Sequence, residues 1–183
     1  EFENDNFELY SSIEEMIEQY TYLKYTSSFK TEIIRRFNQL LISTNYYTED
    51  EYEKEFLDQG LNTRWVQINN SMCKEVGTLR GLHFQKAPNT EVKLVRCLRG
   101  SIWDVVVDLR RESKTYGKWF GVKLSSENRT MMYVPKGFAH GFISLEINTE
   151  ILYLVSNFYT PDSEDTLIWN DSDVAIEWPL SPE

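Results

Sequence analysis

The sequence is poor in the residues on which several protein classes depend. It contains two cysteines among 183 residues, Cys73 and Cys97, which are too few for a disulfide framework and form no CxxC pair. No apolar run approaches the roughly 20 residues of a transmembrane helix, and the acidic first ten residues lack the apolar core of a signal peptide. We therefore expect a reduced, cytoplasmic protein without a membrane span.

Histidine is equally scarce, which limits the chemistry available. His83 and His140 are the only two histidines, so a three-histidine metal site is impossible, and neither HxH nor HExxH occurs. The motifs GxSxG, P-loop and GxGxxG are absent, which leaves serine hydrolases, P-loop kinases and Rossmann dehydrogenases without support. A metal site of one histidine with carboxylates stays open, but we expect chemistry without a metal or cofactor.

Negative charge is concentrated at the start of the chain. Residues 1–60 hold 14 acidic and 5 basic side chains, a net charge of -9, whereas residues 61–183 hold 15 acidic and 14 basic ones, a net charge of -1. No basic stripe of the kind that nucleic-acid-binding proteins carry is present. The acidic part is a solvated surface or a partner contact, and the rest can accept an anionic small molecule.

Glycine and proline are missing from residues 1–59, which divides the chain into two regions. Apolar residues recur with a helical period over 9–23 and 29–41, and a third helix is predicted over 49–59, with Thr48 as its N-cap and Gly60 at its end. Residues 42–47 could form a strand.

Short apolar runs with turn residues between them begin near position 65. About nine such strands without intervening helices predict an antiparallel sandwich or barrel and argue against a parallel sheet. The predicted strands cover 65–69, 78–84, 93–98, 101–109, 119–124, 130–134, 141–145, 151–157 and 166–169.

His83 is the first candidate for chemistry. A neutral imidazole in a pocket can remove a proton from a carbon beside a carbonyl, although a strand histidine with an ordinary hydrogen bond is the alternative. Strict alternation places Arg80 and His83 on opposite faces of one strand. Both can point into one pocket only if the strand is distorted, and a bulge is easiest at Gly81.

Three further residues are candidates with structural alternatives. Lys93 opens a strand and could hold a phosphate or stabilise an enolate oxygen, or it could be an exposed edge lysine. His140 lies between two glycines, which suits close backbone packing, a ligand contact or a plain β turn. Tyr153 is flanked by apolar residues and could be an acid or a buried core tyrosine.

Several blocks of sequence together resemble one known family. These are GTLRGLHFQ at 77–85, KLVRC at 93–97, WDVVVDLRR at 103–111, WFGVKLSSEN at 119–128, VPKGFAHGF at 134–142, LIWND at 167–171 and IEWPL at 176–180. Their order and spacing over residues 42–183 are similar to those of the dTDP-4-dehydrorhamnose 3,5-epimerase family.

The resemblance implies a cupin, an antiparallel jelly-roll β-barrel without metal, which forms a homodimer. It also implies inversion of C3 and C5 of a 4-keto-6-deoxyhexose linked to a nucleoside diphosphate, converting dTDP-4-dehydro-6-deoxyglucose to dTDP-4-dehydrorhamnose. By similarity, His83 is the base, Lys93 stabilises the enolate and Tyr153 delivers a proton on the opposite face.

The resemblance also implies a set of substrate contacts. Arg80 would bind the diphosphate and Tyr159 would stack on the pyrimidine, while the other members contact the substrate or brace the site. These other members are Glu49, Gln67, Asn69, His140 and Glu164.

The chain departs from the family pattern in three places. Thr44 stands where the family has a nucleotide-binding arginine. The aspartate that pairs with the histidine base would follow Trp178 and Pro179, beyond the last residue, and residues 1–41 are predicted to be a helical extension. These departures leave open a cupin that binds a sugar nucleotide without turnover, or an enzyme that inverts one carbon.

Overall fold

The structure, a computed structural model, describes residues 41–43 and 49–182 and is dominated by β-strands. The one α-helix of this described part, α1, spans Glu49–Asp58, one residue shorter than expected. Gly60 lies two residues past its last residue and has a φ of +68°, as expected of a glycine that stops a helix. The helix predicted over 9–23, residues 29–40 of the second predicted helix and the Thr48 cap lie outside the described residues. Leu41, the last residue of that second prediction, lies in the strand Leu41–Ser43, so the helix was wrong at this end, and the strand expected from residue 42 begins one residue earlier. No helix in the described ranges has the length and apolar character needed to cross a membrane.

Ten short strands make up the sandwich within the described residues. They are β1 (Leu41–Ser43), β2 (Gln67–Cys73), β3 (Leu79–Gln85), β4 (Lys93–Arg99), β5 (Ser101–Asp108), β6 (Trp119–Ser125), β7 (Thr130–Val134), β8 (Phe138–Ser144), β9 (Thr149–Val155) and β10 (Glu164–Thr166). A 3-10 turn, Pro161–Ser163, leads into β10.

The strands form two five-stranded sheets in which every recorded pairing is antiparallel. The first sheet has the order β1-β7-β4-β9-β2, and the second has the order β10-β3-β8-β5-β6. From β3 onward the chain changes sheet at every connection except β5 to β6. This alternation is the jelly-roll arrangement, and the predicted fold class is confirmed. Within the described residues the two sheets remain separate, so the barrel is open along its sides.

Burial on both faces explains the apolar sequence of β5. All eight of its residues are buried. Ile102 and Val106 belong to the cluster between the sheets, and Trp103, Val105 and Val107 pack in a second cluster on the outer face. Side chains of the C-terminal arm cover that outer face, among them Leu167, Val174, Ile176 and Trp178.

Four predicted strands are displaced by two residues or more. β2 covers 67–73 instead of 65–69, and β9 covers 149–155 instead of 151–157. β8 begins at Phe138 instead of 141, because the turn lies at Gly137, with a φ of +82°, and Gly141 lies inside the strand. A Cβ at Gly141 would stand 2.8 Å from the carbonyl oxygen of Arg80, so this glycine permits close packing of β3 on β8 and is not a turn residue. The last strand is Glu164–Thr166 instead of 166–169.

Candidate active site

A cavity of about 280 Å³ lies between the facing sheets and collects most of the polar candidates. Its lining comes from β2, β4 and β9 of the first sheet, from β3 and β10 of the second, and from two loop residues. The side chains that matter for chemistry are His83, Lys93 and Tyr153, with Glu91, Tyr159 and Glu164 around them.

Strand register explains why the first sheet presents its polar side chains together. Asn69 is paired with Tyr153, and Val155 of β9 is paired with both Gln67 and Lys93. Residues directly opposite each other in a sheet point to the same face, and alternate residues of one strand share that face. The side chains of all five residues therefore point toward the second sheet. The amide of Gln67 donates a 2.6 Å hydrogen bond to Oδ1 of Asn69.

A bulge in β3 sets the orientation of the second wall. Arg80 is paired with Phe142 and His83 with His140, so three steps along β3 oppose two steps along β8. This extra residue places Arg80 and His83 on the same face, as the bulge predicted at Gly81 requires. Gly81 has a φ of +121°, and a Cβ there would stand 2.5 Å from Cα of Gly141, so only glycine fits.

Arg80 lies near the cavity without lining it. Its side chain is exposed, and Nη2 donates a 3.1 Å hydrogen bond to the carbonyl oxygen of Met72 on β2. Its positive charge nevertheless interacts with the phenol of Tyr153 and acts to lower the pKa of that phenol.

The environment of His83 favours the neutral imidazole. The residue is exposed toward the open cavity, yet the surrounding protein removes enough hydration to lower its pKa below the ordinary 6.5. Lys93 and His140 lower the pKa further, while the carboxylate of Glu164 opposes them. The imidazole is therefore largely unprotonated near neutral pH, which is the state that a general base requires.

The cation of the site is held by a carboxylate that the sequence analysis did not identify. Nζ of Lys93 lies 3.2 Å from Oε1 of Glu91, and both side chains are nearly withdrawn from solvent, at 12% and 11% exposure. The sequence did contain a signal for this ion pair. Glu91 and Lys93 are two residues apart, and in an extended segment that spacing places both side chains on the same side of the chain.

Tyr153 has the properties of a proton donor. Its pKa is raised above 10, first by burial and then by the negative charge of Glu91, while Arg80 acts in the opposite direction. The phenol therefore keeps its proton across the neutral range.

His140 lies beneath the cavity and is not among its lining residues. Its ring is buried, and Nε2 lies 2.8 Å from Oδ1 of Asp104, whose other oxygen is buried and has no hydrogen-bond partner in the described part of the chain. Asp104 was not identified from the sequence, although a carboxylate inside the apolar strand WDVVVD signals a buried partner.

Tyr159 and Glu164 form the rim. The Tyr159 hydroxyl donates a 2.6 Å hydrogen bond to Oε2 of Glu164, and this bond raises the pKa of the phenol. The ring is 55% exposed, so its face is free to stack on a flat ligand. Glu49 opens α1, and its side chain lies outside the description, as does Thr44. Among the described residues, no group of three His, Cys, Asp or Glu side chains is placed to bind a metal ion.

A family model described as dTDP-4-dehydrorhamnose 3,5-epimerase matches residues 42–183. The chain belongs to this epimerase family. It is 46% identical over 134 residues to the dTDP-4-dehydrorhamnose 3,5-epimerase of Salmonella typhimurium, an alignment that covers 72% of this chain and 73% of that protein.

Solved structures of epimerases share the fold. One is the dTDP-6-deoxy-D-glucose-3,5-epimerase of Legionella pneumophila in complex with dTDP-4-keto-L-rhamnose, with a TM-score of 0.71, 37% identity and coverage of 79% of this chain and 82% of that chain. Another is a 3'-monoepimerase from Streptomyces bikiniensis in complex with dTDP-quinovose, with a TM-score of 0.67, 32% identity and coverage of 76% and 68%. Epimerases of both one and two carbons are thus similar to this chain.

The described geometry suits the reaction class of the epimerase family. Epimerisation beside a ketone needs a base, an acid on the opposite face and a positive charge near the carbonyl oxygen. Here β3 supplies an imidazole, β9 a phenol and β4 an ammonium to one cavity.

Proposed function

We propose that the protein inverts C3 and C5 of dTDP-4-dehydro-6-deoxyglucose to give dTDP-4-dehydrorhamnose. The observation that carries this proposal is the convergence of His83, Lys93 and Tyr153 on one cavity from the two facing sheets. Membership of the epimerase family supports the choice of a nucleotide sugar as substrate.

The proposed step moves one proton away from the sugar and another onto it. His83 removes the proton from the carbon beside the C4 ketone, and the electron pair of that C–H bond forms the enolate. The ammonium of Lys93 stabilises the negative oxygen as it develops. Tyr153 then delivers a proton to the opposite face, which inverts the carbon. Exchange of both groups with solvent returns imidazole and phenol to their starting states.

Binding of the nucleotide part is assigned to the surrounding polar side chains. The guanidinium of Arg80 suits a diphosphate, and the exposed ring of Tyr159 suits stacking on the pyrimidine. The remaining proposed contacts or supports are Glu49, Gln67, Asn69, His140 and Glu164.

Solvent exchange tests the reaction directly. The protein is incubated with dTDP-4-dehydro-6-deoxyglucose in heavy water, and deuterium in the sugar is counted by mass spectrometry. Uptake at C3 and C5 is the expected result, and no uptake contradicts the proposal. His83→Asn should abolish uptake, because no other side chain is assigned as base.

Tyr153→Phe separates exchange from inversion. His83 can still remove a proton and return deuterium to the same face, so exchange should persist while inversion falls by about 100-fold or more. Tyr116→Phe is the matched control, since Tyr116 is an exposed tyrosine outside the cavity lining and its loss should change neither exchange nor inversion.

A second candidate function is inversion of one carbon, or binding without turnover. The 3'-monoepimerase among the similar structures favours the former, and Thr44 in place of an arginine favours the latter. Deuterium at one carbon would identify a single-site epimerase. Calorimetry that shows dTDP binding without exchange would identify a binding protein.

We also propose a homodimer formed through the edge of the first sheet. β2 is an edge strand of that sheet. Three exposed apolar residues lie on its outer face or directly before it: Val66, Ile68 and Met72, at 42%, 65% and 47% exposure. Such an edge is suited to pairing with another chain. Ile68→Lys should shift the protein toward monomer in light scattering.

Two further expectations stay predictions. They are a helical segment over 1–41 ahead of a cupin domain over 42–183, and a cytoplasmic location.

A further inference from the structure

We propose that Glu91 is a positioning residue of the epimerase site, which holds the Lys93 ammonium and connects it, through Gln85, to the segment that carries Tyr159. This inference rests on the proposed function, in which Lys93 stabilises the enolate and Tyr159 binds the base. Glu91 itself is given no bond to the sugar.

The first part of the argument is that both oxygens of Glu91 are engaged. Oε1 lies 3.2 Å from Nζ of Lys93, and Oε2 accepts a 3.2 Å hydrogen bond from Nε2 of Gln85. The side chain is only 11% exposed, so water competes little for either oxygen. A carboxylate held at both oxygens in a shielded place can fix a flexible lysine side chain.

The orientation of Gln85 makes an acceptor at position 91 necessary. The backbone N–H of Thr160 donates a 2.7 Å hydrogen bond to Oε1 of Gln85, which fixes the amide oxygen on that side. Nε2 therefore faces the carbonyl oxygen of Phe158 and the carboxylate of Glu91, each at 3.2 Å. Gln85 is 5% exposed, so a lost acceptor would leave a buried amide hydrogen unpaired.

These contacts form one connection across the cavity. Lys93 begins β4 of the first sheet, Gln85 ends β3 of the second, and the segment 158–160 surrounds Tyr159 at the rim. Glu91 is the only residue of this network that touches both the ammonium and the amide. A bound nucleotide that orders the Tyr159 segment therefore also affects the position of the Lys93 ammonium, which stabilises the enolate.

Glu91 also acts on the acid of the reaction. Its negative charge is the second cause, after burial, of the raised pKa of Tyr153. The charged and titratable side chains that line the cavity with Tyr153 or reach it electrostatically are Glu91, Lys93, Arg80, His83, Tyr159 and Glu164. Among them Glu91 is the carboxylate that raises the pKa of Tyr153, so its removal should lower that pKa.

Two substitutions separate the position of Lys93 from the charge of Glu91. Glu91→Ala removes both contacts and the charge. Glu91→Gln removes the charge and has one oxygen for two donors, so it keeps one contact. We expect kcat for deuterium uptake to fall by about ten-fold or more in the alanine variant and to recover substantially in the glutamine variant. In both variants the pKa of Tyr153 should fall, because the negative charge of Glu91 that raises it is gone.

The pKa of Tyr153 is measured without turnover. Tyrosine labelled with 13C at Cζ is titrated by NMR, and the Tyr153 signal is assigned with Tyr153→Phe. Asp165→Asn is the matched control, because Asp165 forms an ion pair of the same length, 3.2 Å, with Lys86 outside the cavity, where both side chains are about half exposed. This control should change neither kcat nor the Tyr153 titration.

Each outcome decides the inference. It is supported by a lower Tyr153 pKa in both variants, together with partial rescue of kcat by glutamine. Wild-type kcat in Glu91→Ala, or equal losses in both variants with an unchanged Tyr153 titration, overturns it. A wild-type protein that takes up no deuterium would reject the proposed function, while the titration would still report whether Glu91 acts on Tyr153.

Discussion

Asp108, at the end of β5, anchors the loop that leads to β6 and offers a quantitative test of the structure. Its carboxylate is fully buried, and it accepts hydrogen bonds from Nε and Nη2 of Arg110, at 2.8 and 2.7 Å. The Thr115 hydroxyl donates a third bond, at 2.6 Å, and the Arg110 backbone N–H a fourth, at 3.0 Å. Although burial opposes ionisation, these donors hold the pKa of Asp108 at about 2.

The lowered pKa translates into stability with a defined sign. Relative to the ordinary value of 3.8, a folded-state pKa of about 2 corresponds to about 2.5 kcal/mol, because each pH unit is worth about 1.4 kcal/mol. Since the folded-state pKa is the lower one, this stabilisation is fully present above the unfolded-state pKa of 3.8 and is lost as the pH falls through about 2.

Asp108→Asn removes the charge and places an amide donor where Arg110 and Thr115 also donate. We expect the free energy of unfolding near neutral pH to fall by roughly 2 to 4 kcal/mol, measured by urea denaturation followed through tryptophan fluorescence. The difference from wild type should shrink by about 1 kcal/mol between about pH 6 and about pH 3, because the unfolded wild-type chain binds a proton at this carboxyl in that range while folded Asp108 stays ionised.

Asp165→Asn, which removes the exposed ion pair with Lys86, is the control and should leave the free energy of unfolding nearly unchanged, because solvent screens that pair. A pH-independent difference between wild type and Asp108→Asn would refute the reasoning, since it would show that the carboxylate is not stabilised as an anion. So would a loss no larger than that of the control.

Further predictions concern the bulge and the base. Gly81→Ala should lower the free energy of unfolding by about 3 kcal/mol or more, since its Cβ would meet the backbone of Gly141 at 2.5 Å. Gly117→Ala, at a φ of +72° but in open space, should cost only about 1 kcal/mol, and equal costs would contradict the packing argument. Glu164→Gln should move the acidic limb of the kcat/KM profile to lower pH, because the Glu164 charge raises the pKa of His83. An unmoved limb would show that His83 is not the group that titrates.

Local patterns were sufficient for the architecture because short apolar runs and turn residues are local signals. The segments that became β4, β5, β6 and β7 were predicted to within about a residue at either end. The start of β8 was missed because the role of its glycine is not local. Gly141 reads as a turn residue in the chain, but its lack of a side chain serves contact with β3, which is 60 positions away in sequence.

Only part of the candidate site could be predicted from the sequence. His83, Lys93 and Tyr153 were found through the resemblance of ordered motifs, and the Gly81 bulge was inferred from strand alternation. Glu91 and Asp104 were missed because neither belongs to a motif, and their importance depends on the partners that strand pairing brings to them.

The order of residues thus specified a jelly-roll protein of the epimerase family and named the imidazole, ammonium and phenol, since these depend on composition, periodicity and motif order. Which side chains share a cavity, which carboxylate holds the lysine and which residues shift each pKa depended on the folded chain. Strand register and burial bring residues distant in sequence within about 3 Å of each other and remove water from between them, and no local pattern encodes that proximity.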